Sequence, residues 1–302
     1  MVQKARQLLV DFMELTQKSQ RQISKELDLS PSVISQFLKG TYSGNNDEVA
    51  QAIEKYLTVS KERLNSVQSS VFYESLLNTQ EVLFACTYAH TKNDITLVSG
   101  DAGAGKTTAL EFYTQNNTGV IMVTADSCTA SATAVLTLIA DSLGKRLSGN
   151  RAALMKGLVT QLKNSNRLII VDEADHLTLQ ALQAIRNLND QAKVGVVLSG
   201  NEKIHRQMFT GQRGYEFDQI RTRIIVRKKV ANYYTVEEMQ NIFPDLNQDC
   251  LSVMIKIACG ESLRTARKIY EIALEFSRAK GVAISAKILR DTQKQLFGGA
   301  YG

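Results

Sequence analysis

Two prolines in 302 residues, and no low-complexity tract, leave little room for long structureless linkers. No apolar run approaches the roughly 18 residues a membrane span needs. No N-terminal stretch has the pattern of a secretory signal. These absences predict a soluble, cytoplasmic protein with no membrane partner. Cysteine is scarce too: Cys86, Cys128, Cys250 and Cys259 fall at no C-x-x-C or metal-ligand spacing. They read as buried thiols in a reducing compartment, not as a zinc site or a disulfide framework. A large excess of one charge sign is also lacking. With 36 Lys+Arg against 30 Asp+Glu the net charge is +6, which permits a polyanionic partner without requiring one. Hydrophobic residues make up 44%, enough for real cores in two or three domains.

The stretch that organises the chain is Gly100, Asp101, Ala102, Gly103, Ala104, Gly105, Lys106, Thr107 and Thr108, directly after the apolar run Ile95 to Val98. Strand, glycine loop, Lys-Thr and then a helix make the phosphate-gripping pattern G-x-x-x-x-G-K-[ST]. The glycines let the backbone turn so that its N–H groups converge on a di- or triphosphate. Lys106 supplies a point charge to the terminal phosphates, Thr107 a hydroxyl for Mg²⁺, and the helix start the positive end of a dipole. The pattern implies ATP and Mg²⁺ as cofactors.

Downstream, Leu168 to Asp175 reads LIIVDEAD, a buried strand ending in acid. Asp172 at its tip is placed to hold Mg²⁺, and Glu173 to orient the water that attacks the γ-phosphate. VGVVLSGN, Val194 to Asn201, ends a second buried strand whose polar tip points the same way. Asn201, or else Ser199, is the candidate sensor of the γ-phosphate.

The remaining periodicity gives the organisation. Residues 1–60 form a helical unit in which Gln20 to Gly40 has helix-turn-helix spacing. Ser30 and Pro31 open its second helix, and Asp28 stands where the turn needs left-handed backbone. That helix presents Ser32, Ser35, Gln36 and Lys39, a set poor in base-reading side chains, so phosphate-dominated DNA contact fits better than operator reading. A helix from Asp47 to Leu57 follows, and the polar run Thr58 to Ser70 marks a boundary. Val71 to Thr91 reads as one helix leading into the next domain. Residues 72–230 then alternate strand and helix with uniformly apolar strands at Ile95–Ser99, Val120–Thr124, Arg167–Asp172 and Val194–Ser199, closed by Ile224–Lys229. This predicts an α/β fold with a parallel sheet covered on both faces. Residues 231–302 are all helical, beginning with the capping box Thr235-Val-Glu-Glu238.

Three arginines stand at telling places. Arg221 and Arg223 precede the last strand, where an arginine can reach a neighbouring subunit's nucleotide. On an extended segment they face the same side, so alternation does not choose between them. Arg264, in GESLRTARK, opens a helix of the C-terminal domain.

These motifs together resemble the AAA+ ATPases over residues 72–297. With the N-terminal helix-turn-helix, the phrase IIVDEADHL and the phrase GVVLSGN, the whole chain is similar to the phage Mu transposition protein B family. The resemblance implies an ATP-dependent, largely non-specific DNA-binding ATPase in the bacterial host cytoplasm. It would assemble head-to-tail on double-stranded DNA as a helical filament and deliver target DNA to a DDE transposase. It favours Arg223 as the trans-acting arginine, because Thr222-Arg223-Ile224 fits the family's small-Arg-Ile pattern, and it makes Arg264 a γ-phosphate contact from the lid. Lys145, Arg146 and Arg151, between two core helices, would face DNA inside the filament. A helicase-loader or initiator-like ATPase shares nearly all these motifs. A nucleotide-regulated transcription factor is the third reading, and it requires a defined operator.

Overall fold

The computed structural model describes residues 2–16, 18–68, 74–145, 147, 149–210 and 214–297. The chain divides into two compact units, Met1–Phe72 and Tyr73–Gly302.

The first unit is four helices: α1 (Val2–Thr16), α2 (Gln20–Glu26), α3 (Pro31–Lys39) and α4 (Asn46–Gln68). Their apolar faces meet in a core of Leu9, Phe12, Ile23, Ile34, Phe37 and Ile53. Local chemistry sets the ends of the short helices. Ser19 and Gln22 form a capping box on α2, Ser30 caps α3, and Gly40 ends α3 in left-handed geometry. Asp28 adopts φ 54° in the turn between α2 and α3, as its place in the sequence predicts. Tyr56 donates to Glu26 Oε2 at 2.6 Å, and Lys18 donates to the same carboxylate, which ties α2 to α4. Helix α4 does not end at Leu57 but continues through the polar run to Gln68, and the division between the two units falls just after it. That run holds no Pro or Gly, and polarity alone does not stop a helix.

The second unit is built on five parallel strands: β1 (Ile95–Gly100), β2 (Val120–Thr124), β3 (Leu168–Asp172), β4 (Gly195–Gly200) and β5 (Ile224–Val230). Their order is β2-β3-β4-β1-β5, so β5 does close the sheet, beside β1. Every residue of β1, β3 and β4 is buried, as continuous apolar strands covered on both faces must be. The cover is α5 (Leu77–Lys92), α6 (Lys106–Asn116), α7 (Ala132–Ser142), α8 (Arg151–Leu162) and α9 (Leu179–Ala192). Helix α5 starts at Leu77, later than the pattern from Val71 predicts. Glu74 to Leu76 is a turn, and the Leu77 N–H donates to Glu238 Oε1 at 2.9 Å. Residues 71–73 lie outside the described residues.

After β4 come α10 (Glu202–His205), a short π-helical turn, α11 (Asp218–Arg221) and β5. The C-terminal helices α12 (Val236–Ile242), α13 (Gln248–Gly260), α14 (Leu263–Lys280) and α15 (Ala286–Phe297) enclose a core of their own around Met239, Met254, Ile257, Ile269 and Leu289. The predicted capping box of Thr235 and Glu238 opens α12.

The four thiols are not all buried. Cys86 and Cys250 are, Cys259 is half-buried and Cys128 is exposed. Asp126 Oδ1 accepts the N–H groups of Cys128 and Thr129, folding that segment into a tight polar turn at the surface.

Gly100 has φ 151°, and a Cβ there would lie 1.7 Å from the Val230 carbonyl oxygen. Gly100→Ala should therefore cost about 3 kcal/mol of stability. A urea midpoint shifted down without a change in slope would show it, and an unshifted midpoint would contradict it.

Candidate active site

The C-terminal ends of the parallel strands bring the chemistry together. β1 runs into the glycine loop and α6 begins at Lys106, with Gly105 at the cap position offering no side-chain acceptor. The first N–H groups of α6 therefore have no side chain competing for them, the arrangement that suits an anion. Lys106 is nearly buried, and its Nζ donates to the carbonyls of Gly100 at 2.9 Å and Asp101 at 2.8 Å. Burial pushes its pKa below the ordinary lysine value. The carboxylates of Asp172, Glu173, Asp101 and Asp175 pull the other way. Of the other loop residues, Ala104 is buried, Gly103 half-buried, and Asp101, Ala102 and Thr108 exposed.

Asp172, at the tip of β3, is fully buried and surrounded by donors. Thr107 Oγ1 donates to its Oδ2 at 2.7 Å, Ser199 Oγ to its Oδ1 at 2.7 Å, and the Glu173 N–H to its Oδ1 at 3.0 Å. A buried carboxylate in contact with a threonine hydroxyl beside the phosphate loop is an all-oxygen donor set, which suits Mg²⁺ better than a softer metal. Glu173 follows in left-handed backbone, φ 53°. A non-glycine residue held there stores strain on the order of 1 kcal/mol, a cost tolerated at sites where side-chain direction matters. Asn201, one residue past β4, caps α10 by accepting the Lys203 N–H at 2.8 Å. Its Nδ2 donates to Asp175 Oδ2 at 2.6 Å. Ser199 and Asn201 thus occupy different places: Ser199 is buried against Asp172, while Asn201 stands at the strand exit. His176 lies exposed in the turn after Glu173.

Arg221 and Arg223 are not on an extended segment, which corrects the sequence reading. Arg221 ends α11 and pairs with Asp218 on the same helix at 2.6 Å, and Thr222 is helical at the cap. Arg223 pairs instead with Asp190 of α9 at 3.3 Å and borders a polar cavity of about 320 Å³ with Asn93, Asn189 and Lys193. Because Ile224 aligns with Ile95 and Val230 with Gly100, Arg223 sits at the opposite end of the sheet from the glycine loop. At ~3.3 Å per residue that is roughly 20 Å, beyond the reach of its own phosphate site. Arg264 is exposed in the first turn of α14, two residues after Ser262. A Cβ on Gly103 would fall 2.4 Å from Ser262 Cβ, so α14 begins directly against the glycine loop.

Comparison with known proteins agrees with this geometry. Residues 89–208 match the AAA domain family. The chain is 29% identical over 295 residues to the ATP-dependent target DNA activator B of Escherichia phage Mu, covering 95% of this chain and 92% of that protein. It is 28% identical to the Mu-like prophage FluMu DNA transposition protein B of Haemophilus influenzae, over 89% of this chain and 95% of that one. Over nearly its whole length the chain is thus similar to the transposition B proteins of Mu-like phages, and it is an ATPase with an AAA domain. Its fold is also that of Cdc6p from Pyrobaculum aerophilum, with a TM-score of 0.53 at 17% identity over 76% of this chain and 70% of that one. A chain in the structure of Drosophila ORC bound to DNA matches with the same TM-score and identity, over 76% of this chain and 63% of that one.

The two phrases that carry the transposition protein B resemblance meet in space. Acidic groups of IIVDEADHL each bind a polar group of GVVLSGN, Asp172 through Ser199 and Asp175 through Asn201. Of the basic residues singled out between core helices, Lys145 is exposed after α7 and Arg151 is exposed at the first position of α8; Arg146 lies outside the described residues. Three others on β5 are engaged locally. Arg227 stacks on Phe209, Lys228 pairs with Glu81, and Lys229 with Glu202. In the N-terminal unit, Ser32, Gln36 and Lys39 of α3 are exposed and Ser35 is half-buried. One site residue escapes sequence inspection. Asn232 donates its backbone N–H to Asp101 Oδ2 and its Nδ2 to the carbonyls of Ala102 and Glu261, joining the glycine loop to the chain just before α14. No motif announces it, because its partners are mostly backbone atoms far off in sequence.

Proposed function

We propose that this chain is an ATP-dependent DNA-binding protein of transposition. In this reading it assembles head-to-tail on double-stranded DNA, with little sequence preference, and presents that DNA to a DDE transposase. The observation that supports its chemistry best is the contact of Thr107 with buried Asp172 beside the glycine loop. Similarity over 95% of the chain to a protein named target DNA activator B supports the biological role.

In this reading the N–H groups of residues 100–108 and Lys106 grip the phosphates of ATP. Thr107 and Asp172 would hold Mg²⁺, which when bound neutralises charge on the β- and γ-phosphates. Glu173 orients the attacking water and Asn201 contacts the γ-phosphate. Arg264 approaches from the C-terminal helices, which act as a lid. Arg223, remote from its own site, reaches the nucleotide of the next subunit. A contact of that kind is heterologous and propagates as an open helix or a ring. DNA is held by many weak phosphate contacts summed along the assembly, with Lys145, Arg146 and Arg151 facing the duplex and Ser32, Ser35, Gln36 and Lys39 adding contacts from the N-terminal unit.

Electron microscopy with ATP and plain duplex DNA, together with strand-transfer assays with the cognate transposase, tests the reading. Regular assemblies on unrelated DNA sequences and stimulated strand transfer are expected. Binding confined to one operator, or no effect on transfer, would overturn it. Lys106→Ala removes the main side-chain charge on the phosphates and should weaken ATP binding by about 3 kcal/mol, or ~10²-fold. ATP-dependent DNA assembly should be lost with it. Full assembly by this variant in ATP would show that nucleotide does not drive it.

A further inference from the structure

Asp175 is a buried carboxylate that the proposed chemistry does not use. Its surroundings are unusually specific. Oδ1 accepts the backbone N–H of Asn201 at 3.0 Å and Oδ2 accepts Asn201 Nδ2 at 2.6 Å, so one side chain grips both the backbone and the amide of a single residue. The other end of that amide is also fixed, because Asn201 Oδ1 accepts the Lys203 N–H. Orientation therefore follows: the carboxylate can face only the NH₂ group, and the Lys203 N–H only the carbonyl oxygen, so an amide flip would place like groups together at both ends. The backbone has been cleared for this contact. A Cβ on Gly200 would stand 2.7 Å from Asp175 Oδ1 and 3.2 Å from the Asp175 nitrogen. Asp175 also lies two residues beyond Glu173, on the same short 3₁₀ turn.

We infer that Asp175 is a positioning residue that holds the Asn201 amide in the orientation needed at the γ-phosphate, and so ties the sensor to the segment bearing the water-activating Glu173. The inference rests on the ATPase reading above. Its consequence is a rigid link between the β3 and β4 tips. Asp172 and Ser199 fix the metal-side rung, and Asp175 and Asn201 fix the rung at the phosphate end. A preorganised amide needs no reordering when charge develops on the γ-phosphate, which is how a group of this kind speeds a reaction.

The test is a cycle of Asp175→Asn, Asn201→Ala and the double variant, read by steady-state kcat, ATP affinity and melting temperature. In Asp175→Asn one acceptor becomes a donor facing donors, and kcat should fall about 10- to 100-fold, as for other partners that orient a reacting group. ATP affinity should stay within about threefold, so the loss falls on kcat rather than on binding. In the Asn201→Ala background the same change should cost less than about twofold, because the group it positions is gone. Gly200→Ala keeps both side chains but drives a methyl group at the carboxylate, and it should reproduce the kcat loss without an equal loss of affinity. Wild-type turnover in Asp175→Asn would overturn the inference. So would an undiminished effect in the Asn201→Ala background, which would mark Asp175 as merely structural. Wild-type turnover in Asn201→Ala would overturn it too, leaving nothing to position. Absence of ATP hydrolysis by the unmodified chain would instead overturn the ATPase reading itself.

Discussion

Glu173→Gln should bind ATP and DNA as the unmodified chain does and yet turn over about 10³-fold more slowly. Glutamine matches glutamate in size and can still hydrogen-bond, but it cannot draw a proton from water. The backbone makes the substitution clean. Glu173 stands at φ 53° with its N–H donated to Asp172 Oδ1, a contact that does not involve the side chain being changed. With hydrolysis blocked and binding intact, the assemblies on DNA should persist long after ATP is diluted. Phosphate release and the lifetime of the DNA complex are the two measurements. Hydrolysis at the unmodified rate would mean that another group activates the water.

Arg223→Ala should lower turnover on the order of 10³-fold, by analogy with arginines donated in trans, and should weaken ATP-dependent assembly. It should leave the subunit's own ATP affinity nearly unchanged, since Arg223 lies at the far end of the sheet from the glycine loop. Arg221→Ala is the control, because Arg221 is paired with Asp218 on its own helix. Mixing Arg223→Ala with Glu173→Gln protein separates trans from cis action. Some mixed interfaces unite an intact Glu173 with an intact Arg223, so part of the lost activity should return. If the two variants co-assemble and nothing is restored, Arg223 does not act across the interface.

Much of this architecture is legible without coordinates because its signals are local. The three central strands β1, β3 and β4 are largely apolar runs, and a strand buried on both faces has few other compositions available to it. The glycine loop is legible because backbone turning around a phosphate demands glycine at set spacings, and Lys106 and Thr107 follow by their reach. The caps at Ser30 and Thr235 are read equally well, since a cap and its helix are neighbours in sequence. Helix ends without a cap or breaker were read less well: α4 runs on past Leu57 to Gln68, and α5 begins at Leu77 rather than Val71. The exposed Cys128 likewise depends on a turn made by Asp126, which cysteine spacing does not report.

The sequence by itself thus determined the α/β class, the glycine loop between β1 and α6 and the acidic tip of β3, because each depends on residues within a few positions of one another. Only the tertiary structure decided which long-range pairs form. It set Ser199 against Asp172 and Asn201 against Asp175, separated Arg221 from Arg223, and put Asn232 between the glycine loop and the start of α14. Apart from the local pair of Arg221 with Asp218, these pairings link segments tens of residues or more apart, and several end on backbone atoms that carry no residue identity. The register of parallel strands brings them together, and a register is a property of the folded sheet as a whole.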